Sequence, residues 1–104
     1  MKIVIIGLRT IGRTILKTLA SENHDITIID ENKDKIEQLI ERYDVLGLVG
    51  NGGCMDVQKE AKVQDADLVI SLTDSDELNI FACMVARQVG AHNTIARVRY
   101  PDYS

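Results

Sequence analysis

The sequence predicts a doubly wound α/β domain, one parallel sheet with helices on both faces, and three observations carry that prediction. Short apolar, β-branched runs alternate with stretches of helical periodicity along the chain. The first run, Lys2-Ile3-Val4-Ile5-Ile6, leads directly into a turn with a glycine at each end, Gly7-Leu8-Arg9-Thr10-Ile11-Gly12. An acidic residue, Asp30, closes the second run 18 positions after Gly12. Such alternation implies right-handed crossovers between parallel strands. The expected arrangement is a single Rossmann-like domain with strand order 3-2-1-4-5.

The first strand, 2–6, is apolar on both faces, as a central parallel strand must be. The helix expected at 10–21 follows from Ile11, Ile15 and Leu19, with Leu16 and Ala20 alongside. A second strand at 25–30 ends on Asp30, and a helix at 33–42 follows Glu31 and Asn32. The third strand, 45–49, runs into Gly50-Asn51-Gly52-Gly53-Cys54, which permits positive φ and close backbone approach, though an ordinary turn has the same composition. A helix at 53–62 and a strand at 67–72 follow. The helix at 76–89 carries Leu78, Phe81, Ala82, Val85, Ala86 and Val89 as an apolar stripe, with Ile80, Cys83 and Met84 outside it. Asp74 and Glu77 resemble a capping box at its start, and Gly90 supplies the stop. In the last strand, 94–98, Arg97 lies on the same face as Arg99 just beyond it.

The turn after the first strand is the outline of a dinucleotide-binding motif with its middle glycine replaced. In G-x-G-x-x-G the first glycine allows the tight turn, the second lets the backbone approach a pyrophosphate, and the third packs helix on strand. Here Gly7 and Gly12 keep the first and third places, and Arg9 holds the second. The helix N-terminus aims unpaired N–H groups at a phosphate. Asp30 stands where a ribose 2′-OH is held; its alternative role is to cap the next helix, a task open to Asn32 as well. Thr73 and Asp74 either meet ribose or phosphate or cap a helix, and Arg97 either neutralises a phosphate or pairs with a surface carboxylate.

Composition narrows the function classes. With 12 basic against 16 acidic residues the net charge is −4, and no basic run occurs, so no nucleic-acid partner is expected. No run of 18 apolar residues is present, so direct membrane insertion is not expected. Met1-Lys2-Ile3 enters the first strand at once, which leaves no room for a signal peptide. Cys54 and Cys83 lack metal-site spacing; Cys83 reads as a small core hydrophobe, and free thiols fit a reducing cytoplasm. Neither His24 nor His92 forms a recognisable nucleophile–base pair, so the chemistry expected is binding rather than catalysis. The abrupt ending Tyr100-Pro101-Asp102-Tyr103-Ser104 suggests a piece of a longer protein.

Longer strings resemble a known family. Ala66-Asp67-Leu68-Val69-Ile70, Thr73-Asp74-Ser75-Asp76-Glu77-Leu78-Asn79 and Ile95-Ala96-Arg97-Val98-Arg99, together with the opening strand, Asp30-Glu31-Asn32 and Gly50-Asn51-Gly52, are similar to the N-terminal domain of Trk-type potassium-uptake regulators, the RCK/KTN family. The resemblance covers residues 1–104 and implies a cytoplasmic regulatory domain, peripheral to the membrane. It would bind NAD(H) or an adenine nucleotide (ATP, ADP or AMP) and gate a membrane-embedded potassium transporter or channel subunit. Position by position it implies that Gly7, Leu8, Arg9, Thr10, Ile11 and Gly12 form the pyrophosphate turn. Asp30, beside Glu31 and Asn32, would hold the adenosine ribose, with Asn51 and Gly52 near the adenine. Thr73 and Asp74 would lie near the ribose or pyrophosphate and Arg97 near the phosphates. It also implies a homo-oligomer, a dimer or larger, paired near the fourth helix and fifth strand; the alternative is a monomer in which Tyr100 to Ser104 cover that surface. The family's turn commonly reads Gly-x-Gly-Arg-x-Gly. Arg9 therefore either crowds the phosphate path or folds outward to bind the same phosphates. Two other readings remain: the cofactor domain of a small NAD-dependent oxidoreductase, and an assembly domain whose nucleotide site Arg9 has disabled.

Overall fold

The structure, a computed structural model, describes residues 1–100. The elements are β1 (Lys2–Ile6), α1 (Thr10–Ala20), β2 (Asp25–Asp30), α2 (Lys33–Arg42), β3 (Leu46–Val49), α3 (Met55–Glu60), a 3-10 turn at Val63–Asp65, β4 (Leu68–Ser71), α4 (Asp76–Val89) and β5 (Asn93–Ala96). All strand pairs are parallel and the order is β3-β2-β1-β4-β5, as the alternation predicts.

The pleat of β1 divides the core in two. Ile3 and Ile5 pack with Leu16 of α1 and with Ile36 and Leu39 of α2 on one face. Val4 and Ile6 pack with Val69, Ala82 and Ala86 on the other, under α3 and α4. Residues 3–6 are at most 2% exposed. Each such burial stabilises by about 1.5–3 kcal/mol, which fixes β1 as the centre of the sheet. The edges are β3 and β5, where Leu46 and Ile95 are exposed.

Several sequence expectations need correction. α3 spans only Met55–Glu60, because Lys62 takes a left-handed backbone (φ +66°) and starts the 3-10 turn. β5 stops at Ala96, so Arg97 and Arg99 lie past the ladder. The cap of α4 is Ser75, whose hydroxyl accepts the Leu78 N–H at 3.1 Å, and not Asp74; the helix begins one residue later than a cap at 74 requires. In α4 the buried residues are Asp76, Asn79, Ala82, Cys83, Val85 and Ala86, mostly small ones that let the helix sit close to the sheet. Phe81 is therefore turned out, and Cys83, expected outside the stripe, is in the core, where burial pushes its thiol pKa up. Ile11 is likewise turned outward; Gly12 and Leu16 form the buried line of α1. Phe81, Met84, Ile95 and Tyr100 are exposed on the side where pairing was expected. Covering of that side by Tyr100 to Ser104 falls on residues that, from 101 onward, lie outside the described ones.

Candidate functional site

β1 sits between β2 and β4, so the crossovers diverge to either side of it and leave a crevice at its carboxyl end. Two glycines shape the turn there. Gly7 adopts φ +92°, and a Cβ on it would lie 2.7 Å from the Thr73 backbone nitrogen. A Cβ on Gly12 would lie 2.0 Å from the Gly7 carbonyl oxygen. The first and third motif glycines thus do what the motif requires of them. Arg9, at the second place, has an ordinary extended backbone (φ −76°, ψ −162°) and no steric need for glycine.

Asp30 ties this turn to the next loop. One carboxylate oxygen accepts the Leu8 N–H at 2.8 Å and the other accepts the Asn32 N–H at 2.9 Å. The cap of α2 is Asn32 itself, whose side chain accepts from the Lys35 N–H at 3.0 Å. Each Asp30 oxygen keeps a second lone-pair direction for a hydroxyl donor. Leu8 is fully buried with its N–H committed to Asp30. α1 has neither a capping side chain nor an acidic residue in its first turn, whereas α2 and α4 are capped by Asn32 and Ser75.

On the far wall a single buried amide orders the loop. Asn79 is fully buried; its Oδ1 accepts from the Ser71 hydroxyl (3.0 Å), the Thr73 N–H (2.9 Å) and the Thr73 hydroxyl (2.6 Å). Its Nδ2 donates to the carbonyls of Thr73 (3.0 Å) and Arg97 (2.9 Å). Gln58, also fully buried, donates to the Gly52 carbonyl at 2.7 Å and to the Ala82 carbonyl at 3.0 Å, fastening the loop after β3. Asp76 accepts the Arg99 and Tyr100 N–H groups, so the chain leaving β5 is held against the start of α4. Neither Asn79 nor Gln58 stands out in the sequence as a site residue. The available signal was a polar residue in phase with the buried line of its helix.

These loops enclose a cavity of about 120 Å³. Of the expected residues, Gly7, Arg9, Asp30, Glu31, Asn51, Gly52, Thr73 and Asp74 line it. Ile6, Ile29, Gly50 and Leu78 complete the wall and were not among the expected ones. Asn51 spends its side-chain oxygen on the Gly53 N–H at 2.8 Å. Thr10, Ile11 and Arg97 line a neighbouring cleft of about 340 Å³ instead, together with Arg99 and Leu72. Asn32 and the buried Leu8 and Gly12 support the walls without lining either space. Arg9 and Asp74 belong to both, and their side chains meet at 3.2 Å. The Arg97 guanidinium has no carboxylate partner among the described residues.

The TrkA-N domain family model matches residues 3–104. A Trk system potassium uptake protein TrkA from Vibrio alginolyticus is 41% identical over 104 residues, covering 99% of this chain and 23% of that protein. The chain thus spans about a quarter of the length of that relative. Among solved structures, the GsuK channel bound to NAD superposes with a TM-score of 0.84 at 28% identity, over 98% of this chain and 18% of the channel chain. GsuK has also been solved bound to ADP (TM-score 0.83, 28% identity, 98% and 27% covered). The NAD(P)-binding domain of an exopolyphosphatase-related protein from Archaeoglobus fulgidus gives 0.86 at 20% identity, over 98% of this chain and 76% of that one, a likeness of fold alone.

Proposed function

The chain belongs to the TrkA-N domain family, and from that premise we propose that its cavity holds an adenine nucleotide, whose occupancy regulates a membrane potassium-uptake system. The observation that carries the reading is the meeting of the Gly7 turn, the Asp30 carboxylate and the Asn51 and Thr73–Asp74 loops on one cavity at the carboxyl end of the sheet. The uncapped first turn of α1 presents N–H groups to a phosphate, and Asp30 accepts from the ribose while it buttresses the turn. Asn51 and Gly52 flank the base; Asp74 lies by the phosphates, and Arg97 meets the ligand's far end from the adjoining cleft. The solved GsuK structures, bound to NAD and to ADP, support both ligand classes for such a site.

The role is regulation, not turnover. Among the described residues no histidine, cysteine or lysine lines the cavity, which leaves bound NADH no positioned proton donor there. A ligand acts here by its differential affinity for two conformations, and the Asn79 and Asp76 bonds connect the site loop to the chain leaving β5. The domain acts at the cytoplasmic face beside its membrane partner and pairs with a second copy through the exposed α4 side chains Phe81 and Met84 and the adjacent β5 edge. Calorimetric titration with NADH, NAD, ADP and ATP tests the reading. Saturable binding of at least one, at one per chain and without turnover, is expected. Binding of none would overturn it.

A further inference from the structure

The cavity and the neighbouring cleft share two side chains, Arg9 and Asp74, and no others. The guanidinium comes from the turn after β1, the carboxylate from the loop after β4, and their 3.2 Å ion pair crosses the line between the two spaces. A mononucleotide with its ribose at Asp30 ends at this pair, with its phosphate against the Arg9 guanidinium. A dinucleotide lies across the crevice where the strand order reverses, and its second half must pass between these walls. At the place where glycine would leave that path open, this chain has a long cation held across it.

We propose that the Arg9–Asp74 pair is a selectivity gate that makes this site favour adenosine mononucleotides over dinucleotides. The inference rests on the nucleotide reading above and adds to it the class of ligand. In the mononucleotide complex Arg9 turns from Asp74 to the terminal phosphate, exchanging a carboxylate for a stronger dianionic partner. A dinucleotide gains less, because its pyrophosphate is followed by a second nucleoside that must occupy the position of the guanidinium. The side chains are 67% and 62% exposed, so the pair opens readily and acts by biasing affinities rather than by sealing the site. Arg97, a half-buried residue with no carboxylate partner among the described residues, lines the cleft beyond the gate, where it attracts an anion that passes.

AMP and NADH carry similar net charge near neutral pH, so their affinity ratio reports shape rather than charge. Titration of the purified protein is expected to give AMP about tenfold tighter binding than NADH. Arg9→Gly should move the two in opposite directions, weakening AMP and tightening NADH until the ratio falls to about one. Asp74→Asn, which frees Arg9 but leaves it in place, should shift the ratio by about two- to fivefold, within the range of an exposed ion pair. Both positions are at the surface, and unchanged thermal midpoints will show that the variants fold. Equal wild-type affinities, or a ratio that Arg9→Gly leaves unchanged, overturn the gate and leave the nucleotide reading standing. Loss of both ligands in Arg9→Gly also overturns it, since Arg9 would then be a shared phosphate ligand. Binding of neither ligand to any form overturns both.

Discussion

The two walls of the cavity are held in place by opposite means. On the β1 side the turn is shaped by absent side chains: Gly7 and Gly12 bring backbone against backbone, and Asp30 adds one bond to the Leu8 N–H. On the β4 side the loop is shaped by one side chain that is present, the Asn79 amide, which satisfies three donors and two acceptors. The first wall tolerates no addition and the second tolerates no removal. Arg9 faces the cavity without building either wall, so ligand preference can change there without disturbing the fold.

The largest effect is expected from removing the amide. Asn79→Ala leaves the buried Ser71 hydroxyl and the partly buried Thr73 and Arg97 backbone groups without their partner and should destabilise by about 3–4 kcal/mol. A urea titration should show the midpoint falling at unchanged slope. A loss below about 1 kcal/mol would mean that the loop holds its shape unaided. Next is Gly12→Ala, which adds a single methyl against the Gly7 carbonyl. Helix and strand must part to admit it, at a cost of about 2–3 kcal/mol, while an unchanged midpoint would deny the close contact. Smaller again is Asp30→Asn. The amide cannot accept both the Leu8 and the Asn32 N–H, so stability should drop by about 1–2 kcal/mol. Amide hydrogen exchange at Leu8 should accelerate with it. If Leu8 exchange is unaffected, Asp30 does not buttress the turn.

The same contrast explains what could be read from the sequence. The β1 wall was legible because a backbone contact demands glycine at fixed places, and because an acid ending β2 is set at a characteristic distance from them. The cap of α2 by Asn32 follows from residue type in the same way. The β4 wall was not legible, since Asn79 looks like an interruption of an apolar stripe. Apolar residues occur on nearly every face of α4, so the stripe could be drawn through Phe81 when packing selects Cys83. Small residues win the buried line because the helix lies close to the sheet, a tertiary fact that periodicity does not contain. Arg97 and Arg99 were placed on one face by strand alternation. They do line one cleft, but past the end of β5, held by the Ser71 carbonyl and the Asp76 carboxylate.

The central claim is that Asp30, buttressing the turn, also receives an adenosine ribose. A calorimetric comparison of AMP with adenosine 2′,5′-bisphosphate tests it most directly, since the two differ only at the 2′ position. A carboxylate that accepts the 2′-OH meets like charge when that position is phosphorylated. The account predicts that AMP binds at one per chain and that the bisphosphate binds at least about tenfold more weakly. Equal affinities, or binding by neither, would contradict it.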